Sequence, residues 1–433
     1  MSPLKHNNFR LLSSLGILFF AFSLNFQTGY KLDLSQAYTF GFLTDYFIFY
    51  IRASDLILIS LIFLIFTREY KQLFAIPSRK TIFRLIVFII FIAIWFFLSA
   101  NKPLYLFSLI RLSFFISLII FVFRLTSNSV KNFNDFIQLF FLGLISGSVV
   151  SSIIGLIQFF TGVSPNIPIV GSYFFNSLTP NIALGQVGDL SFLRAYGTTP
   201  HPNIFSLILI SSIIYLLYIL PTTKNYLTKL SYLLSLIILS LAIMASFSRA
   251  GILMFFSVLV LRFTGIKLKS QLILLIFLTV FVLGLLYTLT NLTFESKSIT
   301  ERVELNLIGI KVFIDHFLFG VSPGNYLLAA QEYFFKGFNL RLFQPPHNFF
   351  ILFLAEYGVA FFIFIIFLIL PIVRHLPVIF RTHSGNRLIF PLVVVYMYGL
   401  MVDHYFMTSF QAIYLLGVLL GLILAADKML DLD

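Results

Sequence analysis

Residues 341–356 read Arg341-Leu-Phe-Gln-Pro-Pro-His347-Asn348-Phe-Phe-Ile-Leu-Phe-Leu-Ala-Glu356, a polar loop running into an apolar helix. Two consecutive prolines cannot continue a helix backwards but suit its start. His347 therefore stands at or just before a helix N-terminus, beside exposed N–H groups and the positive end of the helix dipole. Such a place favours a bound anion. A neutral imidazole next to an anion site is what a general base needs when its substrate carries a phosphate leaving group. A histidine that only caps its helix is the competing reading. Glu356 lies nine residues on, so at about 100° per residue it falls near the opposite helix face, about 13 Å deeper. It is expected to face another span or a cavity.

The same apolar character recurs along the chain. Of 433 residues, 59% are hydrophobic and 10% charged, and the mean hydropathy is +1.00. A soluble protein of this size has too little interior to hide so much apolar surface. Runs of about 20 apolar residues predict an all-α polytopic membrane protein, residues 1–433 forming one integral membrane domain. About twelve transmembrane helices are expected, roughly at 11–27, 46–66, 82–100, 104–124, 133–160, 203–220, 230–247, 251–264, 271–291, 348–373, 388–402 and 410–426. Lys5 and Arg10 precede the first run with no small-residue cleavage site after it, so it is expected as a span, not a signal peptide. There is no cysteine, hence no disulfide framework and no thiolate metal site.

The formal charge of +13 would suggest a nucleic-acid partner in a soluble protein. Here topology is the better explanation, and no nucleic acid is expected. With the N-terminus inside, 18 of the 29 basic residues fall in cytoplasmic segments, which predicts both termini in the cytoplasm. The outer side then holds two long loops, 161–201 and 292–346. Within the second, Val303, Leu307, Ile310, Phe313, Ile314 and Phe317 recur at helical spacing, as in an amphipathic helix lying on the membrane surface. The outer basic residues include Arg194, Arg249, Arg302 and Arg341, on the side where topology does not ask for them. Arg52 and Arg111 fall inside expected spans, where charge is costly and faces a cavity or a partner. Arg52 and Asp55 are spaced to pair on one helix face.

The apolar run from 230 to 264 is too long for one span and must break at Ala245-Ser-Phe-Ser248-Arg249-Ala-Gly251. Arg249 is thereby held at a helix end, where a guanidinium can bind phosphate bidentately. An interface anchor is the bland alternative. His201, in Gly197-Thr-Thr-Pro-His201-Pro-Asn203, opens a span after a proline turn as His347 does. No histidine pair has HExxH spacing and no Asp-x-Asp cluster lies outside, so no metal is expected.

Ser248-Arg249-Ala-Gly251, Arg302, Phe319-Gly320-Val-Ser-Pro323-Gly324-Asn325-Tyr326, His347-Asn348 and Ala355-Glu356-Tyr-Gly358 follow one another in this order. Together they resemble the O-antigen ligase and O-antigen polymerase superfamily of bacterial membrane glycosyltransferases, over roughly residues 190–426. Phe317 stands where that pattern has proline and Ser322 where it has glycine. The aromatic usual after the loop arginine is missing around Leu305-Asn306.

The resemblance implies a lipid-dependent (GT-C-like) glycosyltransferase fold with a large periplasmic loop in the bacterial inner membrane. It implies a glycan donor on undecaprenyl diphosphate and an acceptor that is a lipid A-core sugar or another glycan. In such enzymes outer arginines hold the diphosphate, a histidine activates the acceptor hydroxyl, and no metal or other cofactor is needed. Carried onto this chain, His347 is the expected base and Arg249 and Arg302 the diphosphate ligands. Arg194, His201, Asn203, Arg341, Asn348 and Glu356 are secondary candidates. The expected activity is O-antigen ligase-like, in lipopolysaccharide or surface polysaccharide biosynthesis. The alternatives are an O-antigen polymerase, a protein O-glycosylating relative, or a transporter of lipid-linked oligosaccharides. A transporter would show repeats and broken helices at mid-membrane, whereas the polar residues here gather on one face.

Overall fold

The computed structural model describes residues 3–32, 38–39, 42–43, 45–73, 79–180, 182–187, 190–263, 297–333, 343–380 and 385–430. Helices lie at every expected span except the ninth, 271–291, which is outside the described residues, as is Arg341. They are α1 (Pro3–Ser23), α2 (Ala53–Leu73), α3 (Arg79–Leu98), α4 (Lys102–Thr126), α5 (Val130–Thr161), α6 (Pro202–Ile219), α7 (Tyr226–Ala245) and α8 (Arg249–Phe263). After the large loop's helices, α9 (Lys297–Asp315) and α10 (Tyr326–Ala330), come α11 (Phe349–Ile379), α12 (Phe390–Val402), α13 (Tyr405–Thr408) and α14 (Phe410–Leu430). Among the described residues, seven helices are long and apolar enough to cross a membrane, and three further apolar helices are shorter. The protein is a mainly helical multi-pass membrane protein.

Helix α6 is the axis of the fold. It is apolar on all sides, and every residue from Pro202 to Leu217 is buried, as expected for a helix surrounded by others rather than by lipid. It packs against α5, α7, α8, α12 and α14. Small residues on α5 let α1 come close: a Cβ on Gly143 would sit 2.2 Å from the Leu18 carbonyl, and one on Gly147 2.4 Å from Asn25.

Three features depart from the sequence expectation. The second span begins at Ala53 rather than near residue 46, because Phe49–Arg52 pairs as an antiparallel strand with Gly29–Leu32. Arg52 is therefore not on a helix. Its backbone N–H bonds Asp55 at 2.8 Å, and its guanidinium lies over the Phe410 ring, 4.0 Å from the centroid. The first long loop carries a hairpin, Leu184–Val187 with Leu190–Leu193, which delivers Arg194 to the bundle. Finally, α9 is apolar on two faces. The expected face, with Val303 and Ile314, is exposed, while Leu305, Ile308 and Val312 are buried in a second core with Phe47, Leu327 and Leu352.

Helix α11 is broken at Gly358 (φ 75°, ψ 170°), and the broken turn is stitched to the large loop. Val359 and Ala360 N–H donate to the Phe317 and Leu318 carbonyls, and Val321 and Ser322 N–H donate to the Ala355 and Glu356 carbonyls. The backbones meet so closely that a Cβ on Gly358 would lie 2.4 Å from the Leu318 carbonyl oxygen. Ser322, standing where the family pattern has glycine, is held at φ 81°, a region glycine enters without steric cost.

Candidate active site

The site is assembled where helices begin. Asn348 caps α11, its Oδ1 accepting from Phe350 and Ile351 N–H at 2.9 and 3.2 Å, so Pro345 and Pro346 lie ahead of the cap and His347 just before it. The Asn348 amide donates to the Met401 carbonyl at 3.0 Å, which draws the end of α12 beside His347. On α6 the cap is His201 itself, whose Nδ1 accepts the Asn203 N–H at 3.1 Å. The break between α7 and α8 spans Ser246-Phe247-Ser248, with Phe247 at φ 44°. The Ser248 hydroxyl accepts from Gly251 N–H at 3.1 Å and donates to Asn203 Oδ1 at 2.9 Å.

Asp403, between α12 and α13, joins these pieces. One carboxylate oxygen stands 3.3 Å from His347 Nδ1 and accepts the His404 N–H at 2.9 Å. The other accepts Asn203 Nδ2–H at 3.1 Å. Burial pushes this carboxyl up, but the hydrogen bond from His347 and the positive groups around it, Arg302 included, outweigh that and hold it well below its ordinary value. With Asp403 ionised, His347 donates from Nδ1 and keeps its lone pair on Nε2. Burial pushes His404 down to about 4. Burial, then the charge of Arg194, pushes His201 down to about 3.

The arginines gather on the same centre. Arg302 Nη1 donates to the Val402 carbonyl at 3.3 Å, one residue from Asp403. Arg194 Nε donates to the Ser246 carbonyl at 2.7 Å, and its Nη2 lies 3.4 Å from Asn203 Oδ1. Arg249, exposed at the start of α8, is within electrostatic reach of both. Burial and repulsion from Arg249 and Arg302 lower Arg194 to about 10, still protonated at neutral pH. Three mutually repelling guanidiniums favour an anion with several negative oxygens.

Of the sequence candidates, His347, Arg249, Arg302, Arg194, His201, Asn203 and Asn348 are thus neighbours. Glu356 is deeper, its carboxylate held by Gly324 and Tyr326 backbone N–H groups, and it borders the same cavity as His347. Asp403 was not among the candidates. It lies 56 residues from His347, and its only sequence mark is an acid beside a histidine at a span end.

Among the described residues, one group of possible metal ligands is formed by residues too far apart in the chain for any spacing motif. Donor atoms of His347, Asp403 and His404 lie within 4.8 Å of one another. The single carboxylate there is already engaged by three donors, and Arg302 acts on each of Asp403, His404 and His201. That electrostatic setting suits a bound anion better than a divalent cation.

A family model described as O-Antigen ligase matches residues 234–368, about a third of the chain, taking in Arg249, Arg302, His347, Asn348 and Glu356. No curated protein matches the chain. Over residues 234–368 the chain is therefore similar to the O-antigen ligase family, and the ordered motifs from Ser248 to Gly358 fall within that stretch.

Proposed function

We propose that the protein transfers a glycan from an undecaprenyl-diphosphate carrier to an acceptor hydroxyl at the extracytoplasmic face of the bacterial inner membrane, without a metal. His347 Nε2 takes the acceptor hydroxyl's proton, and the freed oxygen attacks the donor's anomeric carbon. The bond from that carbon to the diphosphate oxygen breaks, and undecaprenyl diphosphate leaves with the electron pair. Arg249 and Arg302, aided by Arg194, meet the charge that develops on it. Asp403 holds the His347 tautomer and steadies the imidazolium that forms, as the acid does in an acid–base–nucleophile triad. Direct displacement inverts the anomeric centre.

The observation that carries this reading is the His347–Asp403 pair at 3.3 Å with Arg302 anchored on the adjoining Val402. The reading is ligase-like, with a polymerase joining lipid-linked repeat units as its nearest alternative. The test is transfer by the reconstituted protein from undecaprenyl-diphosphate glycan to lipid A-core and to lipid-linked repeat acceptors in parallel. Product on one and not the other separates ligase from polymerase, and product on neither refutes both.

A further inference from the structure

The connection from α5 to α6 is built inside out. It buries small polar side chains and turns large apolar ones outward. Ser164 and Ser172 are 0% and 3% exposed, whereas Ile169, Phe174 and Leu178 are 80%, 65% and 87% exposed. The serines are held from within. Gln158 Nε2, near the end of α5, donates to Ser164 Oγ at 3.0 Å, and Ser172 Oγ donates to the Pro165 carbonyl at 2.7 Å. A loop standing in water is expected to show the opposite polarity.

The backbone here also asks little of water. Ser164 N–H donates to the Phe175 carbonyl, Ile167 and Ser172 exchange both of their hydrogen bonds, and Gly171 N–H donates to the Pro168 carbonyl. Val163 and Leu178 N–H are met by Thr161 Oγ1 and Asn176 Oδ1. Pro165, Pro168 and Pro180 have no N–H to satisfy. Irregular backbone tolerates a poorly solvated place when its polar groups are met in this way. The segment is fixed in position as well. Thr28 Oγ1 donates to the Ile169 carbonyl at 2.6 Å, and the Phe175 ring packs edge-on against Tyr196, centroids 5.2 Å apart.

Charge points the same way. From Phe136 to Gly188 the chain carries no Asp, Glu, Lys, Arg or His, so the charge-free run of α5 continues unbroken through the loop. The large loop, by contrast, carries Lys297, Glu301, Glu304, Lys311 and Asp315 along α9. The exposed apolar residues are continuous too. Helix α5, long and apolar enough to cross a membrane, exposes Ile153, Ile157 and Phe160 towards its end, and Ile169, Tyr173 and Phe174 follow in the chain.

We propose that residues 163–178 are seated in the bilayer, with Ile169, Phe174 and Leu178 entering the lipid leaflet on the candidate site's side of the membrane. Lipid is the occupant these features favour, because the face is apolar, uncharged, sparing in its need for water and continuous with the exposed side of a span. The proposal concerns this face alone and stands whether or not the protein transfers glycans.

The chain has no cysteine, so a single introduced cysteine reports without background. Full-length Ile169→Cys, Phe174→Cys and Leu178→Cys, each carrying a nitroxide, are placed one copy per nanodisc. The references are Ile89→Cys, on the exposed side of α3, and Lys224→Cys, in the connection from α6 to α7. Collision with oxygen and with a water-soluble nickel chelate is read by power-saturation EPR. The loop sites should match Ile89→Cys, losing nickel collisions and keeping oxygen collisions. A bimane at the same sites should be quenched by phospholipids with brominated acyl chains. Tyr173→Cys replaces any site whose variant does not fold. Nickel collisions at the loop sites equal to those of Lys224→Cys overturn the proposal, since water then covers the face. Sites shielded from oxygen and nickel alike, and unquenched by brominated lipid, overturn it too, since protein then covers the face.

Discussion

Replacing Asp403 by asparagine is the sharpest perturbation the site offers. The carboxylate accepts on both oxygens, from His347 and His404 on one and from Asn203 on the other. An asparagine with its oxygen towards His347 points its amide at the Asn203 amide, donor against donor. Asn203 cannot turn over without losing Ser248 and Arg194 from its Oδ1. The opposite rotamer points N–H at His347 Nδ1, which moves the imidazole proton to Nε2 and removes the base. Either way the carboxylate no longer faces the imidazolium formed in the transition state. At 3.3 Å and an effective dielectric constant of about 20, that attraction is worth about 5 kcal/mol gross. The amide dipole recovers part of it, so the expected loss is about 3–5 kcal/mol, or roughly 10²–10⁴ in kcat. The diphosphate ligands are untouched, so the donor KM should stay within about threefold. The assay is steady-state transfer by purified, reconstituted Asp403→Asn with donor varied, alongside a melting curve. A folded variant with kcat within about threefold of the parent would show that Asp403 does not orient the base.

Arg249→Lys and Arg302→Lys keep the charge but lose the fork, and each should lower kcat/KM for the donor by about 10- to 100-fold, the worth of a hydrogen bond to a charged group; kinetics with the donor varied check this. Chelation tests the His347–Asp403–His404 grouping: dialysis against EDTA should leave the transfer rate unchanged, whereas loss restored by a divalent ion would assign these donors to a metal. Stability should depend on pH through the buried histidines. His201 and His404 have folded values of about 3 and about 4, so below their unfolded value near 6.5 the unfolded chain binds protons that the native one refuses. Each therefore removes stability as pH falls from about 6.5 towards 4, with a slope of at most about 1.4 kcal/mol per pH unit. Asp403, whose folded value is depressed, adds to the loss only below about pH 4. Melting temperatures in detergent should drop between pH 7 and pH 5, and His404→Gln should flatten the drop.

The parts of this fold that the sequence made legible are those set by local rules. Apolar run length located the spans, Pro345-Pro346 announced the start of α11, and the overlong run from 230 to 264 required the break that Ser246–Ser248 supplies. What stayed hidden depends on neighbours distant in the chain. Helix α6 has the same apolar composition as lipid-facing helices, so its central place was not readable. The strand pairing of Gly29–Leu32 with Phe49–Arg52 rests on four-residue segments too short to show a period. Asp403 carries no motif and gains its partners only when α12 is drawn to α11 by Asn348. Glu356 was placed facing away from His347, yet both border one cavity, because the loop around Gly324 and Tyr326 folds down to meet the carboxylate.

The most direct test of the His347 centre uses liposomes holding purified protein, undecaprenyl-diphosphate glycan and a glycan acceptor. Wild-type protein should form the inverted glycosidic product, while His347→Ala, inserted and folded and still binding the donor, should form none. Wild-type turnover by His347→Ala, or a product with retained anomeric configuration, would contradict the mechanism at its core.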